Sequence, residues 1–299
     1  MPQTPGDPAG LPPGPTLAGV GRGTDRREAP LLGPSTEAAR VLGHPGVLLG
    51  GPRALLMQVA HPQVAAGVTQ HSDFAADPFR RLVRTLRAMD RIAFGSGAQA
   101  RQALRSLEAR HRRVSGTTPA GLAYSAADPD LLLWVHATLV DTVLAVDRRY
   151  LGLLDSAGRG RFYDQSRVLA RAFGIPERLV PADLAAFRTY MATAVAGLEV
   201  GPDARAIARL VIRPPMEAAL GLPGAVASRL LAPVSESLTA DLLPGRLRRA
   251  YGLRRGAGLV PDVVPAAWSL DVAALVSRTV VARLPLPRRQ KLTNSVMNA

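Results

Sequence analysis

Cysteine is absent from this chain of 299 residues, and aromatic side chains make up only 4% of it. Without cysteine the chain cannot form a disulfide, a thiolate metal site or an iron–sulfur site, and it has no thiol nucleophile. Ala and Leu are abundant, whereas strands draw on the aromatic and β-branched residues that are scarce here. The sequence therefore predicts an all-α protein that is long enough to bury a substantial core.

Lysine is nearly absent as well, because Lys291 is the only one and the net charge of +14 comes almost entirely from arginine. A basic chain of this kind suggests nucleic acid or a membrane surface as a partner. The arginines are, however, spread along the chain among aspartates and are not interleaved with aromatic side chains that could stack on bases. We therefore expect no nucleic-acid partner, while peripheral membrane contact and the oligomeric state stay open.

Long hydrophobic runs are also missing, since no segment reaches the roughly 20 apolar residues that a membrane-spanning helix needs. The N-terminus, MPQTPGDPAGLPPGP, has neither the basic region nor the apolar region of a signal peptide. We expect a soluble, cytoplasmic protein without a transmembrane span.

Composition divides the chain into three parts. Residues 1–35 are rich in Pro and Gly and predict a disordered tail. Residues 36–255 carry continuous helical patterns and predict one globular helical domain. Residues 256–299 form a C-terminal extension in which Trp268–Leu284 is a candidate amphipathic helix.

Proline and N-cap residues set the expected helix boundaries. Asp77-Pro78 and Asp128-Pro129 each offer an N-cap followed by Pro in the first turn, and His61-Pro62 predicts a kink or boundary. The predicted helices are Thr36–Leu42, Gly51–Gln70 with a break at His61, Asp77–Phe94, Ala98–Val114, Asp128–Asp147, Ser156–Phe173, Pro181–Leu198, Asp203–Leu210 and Pro223–Thr239.

In a chain without cysteine, histidines are the natural candidates for binding a metal. His111 shares a helix face with Leu104, Leu107 and Val114, which places its imidazole in an apolar wall. A buried imidazole needs a partner, which haem iron or a backbone carbonyl could supply. His136 lies in an equally apolar stretch, LLLWVHATLV, so the spacing alone does not choose between the two.

His61, beside the helix break, and His71, in the turn-like QHSDF, could line a pocket or make structural hydrogen bonds. No H-x-x-x-H or H-E-x-x-H spacing occurs, which disfavours a mononuclear zinc or facial-triad iron site. On the basic helix DPFRRLVRTLRAMDRIAF, the residues Arg81, Arg84 and Thr85 lie one turn apart. They could clamp haem propionates or an acidic substrate, or belong to a solvated face paired with acids elsewhere.

Taken in order, several segments resemble the MpaB-type oxygenase family, which includes the latex-clearing rubber oxygenases and a membrane-associated oxygenase of mycophenolic acid biosynthesis. The segments are LLGGPRALLMQVAHPQVAAGV, HSDF, DPFRRLVRTLRAM, FGS, LEARHRRVSG and LLLWVHATLVDT. The resemblance covers residues 36–255 and implies an all-helical domain with a globin-like core and a b-type haem.

The resemblance also assigns roles to individual residues. The proximal haem ligand of the rubber oxygenases lies in a helix similar to ARHRRVSG, which implies His111 rather than His136 as the iron ligand. Their distal R-x-x-K-T pattern corresponds to Arg81, Arg84 and Thr85. The distal lysine, which can coordinate iron, is therefore Arg84 here, and a guanidinium that stays protonated is a poor ligand. Instead, Arg84 is a candidate hydrogen-bond donor to bound oxygen.

A second departure concerns the catalytic glutamate that rubber oxygenases carry before that pattern. Between residues 42 and 81 this chain has no Glu, and the only acidic residues of that stretch are Asp73 and Asp77. Asp73, His61 and His71 are the candidates for a distal base. The resemblance thus predicts a haem b-dependent oxygenase that uses dioxygen to oxidise a small apolar substrate. The alternatives are a non-catalytic haem-binding or gas-sensing protein and a cofactor-free helical interaction protein.

Overall fold

The computed structural model describes residues 28–71, 78–213, 229 and 232–254, and within them the chain is mostly helical, which confirms the predicted all-α class. The helices are α1 Glu37–Leu42, α2 Gly51–Val59, α3 Pro62–His71, α4 Pro78–Ala93, α5 Gly97–His111, α6 Pro129–Val146, α7 Ser156–Ala172, α8 Leu184–Gly197, α9 Pro202–Ile212, α10 over 232–242 and α11 Gly245–Ala250. A globin-like arrangement of the core stays a prediction. The predicted tail before residue 28, residue Asp77 and the Trp268–Leu284 helix lie outside the described residues.

Three shorter helical turns complete these elements. Two are 3-10 turns, Pro45–Gly50 and Glu177–Leu179, and the third is a π turn, Asp147–Leu151, that continues α6. The π turn ends at Gly152, whose φ of 62° lies in the left-handed region that glycine adopts without steric cost. The chain therefore leaves α6 through a sharp turn before α7.

Capping side chains explain where several helices begin. Asp128 accepts a hydrogen bond from the backbone N–H of Asp130 at 2.8 Å, and Pro129 occupies the first turn of α6. Thr36 accepts from the N–H of Ala39 at 3.1 Å and begins α1. These contacts satisfy amide groups that the first turn of a helix leaves free. The predicted boundary at His61-Pro62 is confirmed, because α2 and α3 are separate helices there.

Other boundaries differ from the prediction, most clearly after α5. That helix ends at His111, so Val114 lies beyond it and is followed by a short antiparallel hairpin that the sequence analysis did not predict. The hairpin pairs β1 Ser115–Thr117 with β2 Ala123–Ser125. Strands of three residues are too short to show alternation, and these two are held by tertiary contacts with α3.

The core is built around α6, which contacts α2, α7 and the Pro45–Gly50 turn. Its buried side chains include Trp134 and Val140, which join the main apolar cluster. The span Pro129–Leu151 is long and apolar enough to cross a membrane by length and composition, but 67% of its most apolar window is buried inside the fold. It is therefore placed as the central core helix.

A buried arginine joins the helices around α6. Arg53 of α2 is 3% exposed, and its Nε donates to the carbonyl of Leu242 at 2.9 Å. Its Nη1 donates to Thr142 Oγ1 and its Nη2 to Asp141 Oδ2, both at 2.5 Å. One guanidinium therefore links α2, α6 and α10, and every one of its nitrogens has an acceptor.

Candidate functional site

His111 is the last residue of α5, and its side chain is half-buried. Burial, and to a smaller extent the charge of Arg110, lowers the pKa of His111 below its ordinary value of 6.5. The imidazole is therefore neutral at pH 7, which is the form that ligates a metal. The ring has no hydrogen bond to any residue of the described ranges.

The surroundings of His111 follow from the two faces of α5. Leu104, Leu107 and His111 share one half-buried face of α5, whereas Arg101 and Arg105, which flank that face, are exposed, and α5 as a whole packs against α4. The predicted apolar face is therefore present, although it is less buried than the main core. Ala100, one turn further toward the N-terminus, is the most deeply buried residue of this face at 1% exposure.

The distal residues predicted on α4 lie on the neighbouring helix. Arg84 and Thr85 are exposed, while Ile92, about two turns later, is buried. The structure therefore places both residues on the same helical hairpin as His111, with their side chains exposed. The side chain of Arg81 and the whole of Asp73 lie outside the part of the chain that the structure describes.

His71 lies at the C-terminal end of α3 and is exposed. Its Nε2 is 2.9 Å from the carbonyl oxygen of Ser115, four residues after His111. Because a carbonyl can only accept, Nε2 carries the proton and Nδ1 carries the lone pair. The ring of Tyr124 lies edge-on at 6.3 Å. His71 is thus held against the segment that follows His111 and keeps one nitrogen able to accept a proton.

His61 lies at the other end of α3, about 15 Å from His71 by the rise of ten helical residues. Its Nδ1 is shielded from solvent and has no hydrogen-bond partner. Burial lowers the pKa of His61, and the charge of Asp128 opposes that effect. Its ring lies 6.3 Å from that of Trp134 on α6. The structure therefore does not bring His61 and His71 together.

His136 is a core residue of α6 with 8% exposure, and its ring lies 6.1 Å from that of Phe173 at the end of α7. Burial lowers the pKa of His136 to about 4, so the ring is neutral throughout the physiological range. It is not on the α4–α5 hairpin that carries His111. The two histidines, which sequence spacing could not distinguish as candidate metal ligands, therefore differ in their surroundings.

Enclosed space is found elsewhere in the described ranges. A cavity of about 200 Å³ is lined by residues of α6, α7, α8 and the π turn, and a shallower one of about 340 Å³ lies at residues 34–40. Neither is lined by a predicted site residue. Among the described residues no group of three metal-ligating side chains occurs. The half-buried imidazole of His111 is a donor of the kind that would hold a haem iron.

Comparison with known proteins decides the family. The family described as "ER-bound oxygenase mpaB/B'/Rubber oxygenase, catalytic domain" matches residues 39–278. The chain belongs to this family. The match confirms the resemblance inferred from the order of the motifs, and it reaches 23 residues beyond the position 255 at which we ended the helical domain (278 minus 255). The family is that of an oxygenase catalytic domain.

The chain of this MpaB-family protein is also similar to two mycobacterial proteins whose names describe them as uncharacterised. One is from Mycobacterium bovis and one from Mycobacterium tuberculosis, and each is 26% identical over 155 residues. The aligned part is 50% of this chain and 61% of each relative, so the chain spans less than two thirds of their length. No solved structure matches the chain significantly.

The buried Arg53 and the arginines around the 200 Å³ cavity are not among the residues that the sequence of this MpaB-family chain predicts. One signal was available, because Asp147 directly follows a long apolar helix and precedes two arginines. An acid at such a position needs a cationic or amide partner when it is buried. The periodicity of a helix shows which face is buried, but it does not show which arginine of another helix pairs with an acid on that face.

Proposed function

We propose that this member of the MpaB and rubber oxygenase family is a haem b-dependent oxygenase that oxidises a small apolar substrate in the cytoplasm. The observation that carries the proposal is the half-buried imidazole of His111, which lies on the apolar face of α5 and has no hydrogen bond to a described residue. When bound, haem b supplies the binding and activation of dioxygen. Family membership over residues 39–278 supports oxygenase chemistry in general.

Each proposed residue has a role that its own chemistry allows. His111 holds the iron through a ring nitrogen that is unprotonated at pH 7. Arg81, Arg84 and Thr85 would anchor carboxylates of the cofactor or lie beside it, because guanidinium groups pair with carboxylates in a bidentate manner. The apolar face of α5 limits the access of water to the imidazole.

Proton acceptance needs a different group, since Arg84 stays protonated and can only donate. Asp73 and His71 are the proposed acceptors. The Nε2 of His71 is engaged with the Ser115 carbonyl, which leaves its Nδ1 to accept a proton. Asp73 follows His71 by two positions in the motif HSDF and supplies a carboxylate.

Absorption spectroscopy tests the cofactor and its ligand. The wild-type chain, expressed with a haem precursor, is expected to show a Soret band that His111→Gly loses or shifts and that added imidazole restores. The matched control is His44→Asn. His44 accepts from the N–H of Gly46 at 3.1 Å and caps a turn, a role that asparagine can keep. Circular dichroism of both variants establishes that they are folded.

Two results would contradict this assignment. Wild-type protein without a Soret band, even after reconstitution with haem, would refute haem binding. A band that His111→Gly leaves unchanged would move the iron ligand to another residue. Oxygen consumption with a panel of apolar substrates then tests the reaction, because a gas-sensing protein would bind dioxygen without consuming it or forming product.

A further inference from the structure

The cavity of about 200 Å³ between α6, α7 and α8 lies outside the helical hairpin that carries His111. Part of its lining is apolar and comes from Leu144, Phe187 and Met191, which also belong to the hydrophobic core. A water molecule takes about 30 Å³ in the liquid, so the space corresponds to roughly seven waters. It is large enough for a short organic molecule and larger than a single small ion requires.

Arginines form the polar part of the lining. Arg148 and Arg188 are exposed, and neither has a hydrogen bond or an ion pair with another residue that the structure describes. The acid in the lining, Asp141, is already paired, because its Oδ2 lies 2.5 Å from Nη2 of Arg53. With Arg159 included, the lining carries a net positive charge, which favours an anionic ligand.

Arg159 is oriented by a buried carboxylate. Asp147 is 0% exposed, and its Oδ1 accepts the backbone N–H groups of Leu153 at 2.8 Å and Leu154 at 3.2 Å. Its Oδ2 lies 3.7 Å from the Nε of Arg159, which is an ion-pair distance but longer than a hydrogen bond. Both atoms are shielded from solvent, and neither has a hydrogen-bond partner.

The Nε of Arg159 is therefore drawn toward a carboxylate, yet it is shielded from solvent and has no hydrogen-bond acceptor among the described residues. A shielded donor without an acceptor is unfavourable, and a ligand carboxylate that accepts from the guanidinium of Arg159 reduces that cost. The planar guanidinium also matches a carboxylate in a bidentate geometry. The apolar side of the cavity, at Phe187 and Met191, would receive a hydrocarbon body.

We propose that this cavity binds a small organic carboxylate with an apolar body, such as a short-chain fatty acid. The carboxylate pairs with Arg159 and Arg188, and the hydrocarbon lies against Phe187 and Met191. This site is separate from the proposed oxygenase site, and binding there does not depend on His111.

Calorimetric titration of the full-length chain tests the proposal with three probes. Hexanoate has both features of the proposed ligand, 1-hexanol lacks the charge, and sulfate lacks the apolar body. We expect hexanoate to bind with a Kd on the order of 1 mM or tighter. Both other probes should bind at least about tenfold more weakly, because each loses one half of the contacts.

Arginine variants identify the site. Arg188→Gln is expected to weaken hexanoate binding by about tenfold, the effect of one charged hydrogen bond in a partly exposed site. Arg159→Gln should weaken it further, and its thermal unfolding shows whether it is folded. The matched control is Arg178→Gln, an exposed arginine of the Glu177–Leu179 turn that does not line the cavity. His111→Gly should bind hexanoate as wild type does.

Several results would overturn the proposal. One is the absence of hexanoate binding at about 10 mM. Another is an affinity for 1-hexanol or for sulfate equal to that for hexanoate, and a third is an equal loss of hexanoate affinity in Arg188→Gln and Arg178→Gln. Because these titrations need no haem and no turnover, their failure is distinguishable from failure of the proposed oxygenase function.

Discussion

Replacing Arg53 with methionine removes a side chain that links α2, α6 and α10 through hydrogen bonds. The guanidinium is 3% exposed and donates to the carbonyl of Leu242, the hydroxyl of Thr142 and the carboxylate of Asp141. Methionine has a similar length but no donor. The three acceptors would therefore lose their partner while they stay in largely buried surroundings.

The size of the effect follows from how buried each partner is. Removing one member of a buried ion pair costs about 3–5 kcal/mol. The lower end applies here, because the side chain of Asp141 is 28% exposed and water can partly solvate it. Thr142 and Leu242 are 4% and 7% exposed, so their lost hydrogen bonds are not replaced by water. We expect a loss of about 3 kcal/mol, or a Tm lower by roughly 6–12 °C.

Urea unfolding followed by far-UV circular dichroism measures this loss. Arg178→Met, at an exposed arginine, is the matched control and should change stability by less than about 0.5 kcal/mol. The double variant Arg53→Met with Asp141→Leu should recover at least about 1 kcal/mol relative to Arg53→Met, since no lone carboxylate remains. A loss below about 1 kcal/mol for Arg53→Met would refute the reasoning. So would a double variant as unstable as the single one.

Two further predictions concern stability. Burial lowers the pKa of His136 from 6.5 to about 4, so the unfolded chain binds this proton first as the pH falls. The neutral ring therefore contributes its full stabilisation above pH 6.5, and about 3 kcal/mol of the free energy of unfolding is lost as the pH falls toward 4. A His136→Leu variant whose stability falls with pH as steeply as that of wild type would contradict this. Gly50→Ala should cost about 1–3 kcal/mol, because the added Cβ would lie 2.5 Å from Thr142 Cγ2 and 2.8 Å from Val146 Cγ2. Gly160→Ala in α7, with nothing within 4 Å, should be neutral or stabilising, and equal urea midpoints for both variants would disprove the close packing.

Local chemistry made most helices predictable from the sequence. Asp128-Pro129 begins α6 as expected. The aspartate side chain accepts a hydrogen bond from a free N–H of the first turn and the proline ring has the backbone angle of a helix, and neither effect depends on the rest of the fold. The break at His61-Pro62 follows from the missing N–H of proline in the same way. Membership of the MpaB and rubber oxygenase family was also predictable from the sequence, because the order of several motifs along the chain indicates it.

Features that depend on distant residues could not be predicted. The β1–β2 hairpin is held by α3, since Gln63 donates to the carbonyl of Ala123 at 2.6 Å and Gln70 to that of Thr117 at 3.0 Å. These partners lie 60 and 47 residues away in the chain. For the site, periodicity placed His111 on the inner face of α5, but the degree of burial depends on α4, which packs against it.

The two departures from the rubber oxygenase pattern bear on one question, which is where a proton can be accepted. Arg84 in place of lysine removes a group that could be neutral, and the missing glutamate removes a carboxylate. His61 and His71 lie about 15 Å apart at opposite ends of α3, so one small site cannot use both. His71 is tied through Ser115 to the segment that follows His111, whereas His61 lies against Trp134 of α6. Of the two histidines, His71 is therefore the better-supported acceptor for the proposed reaction.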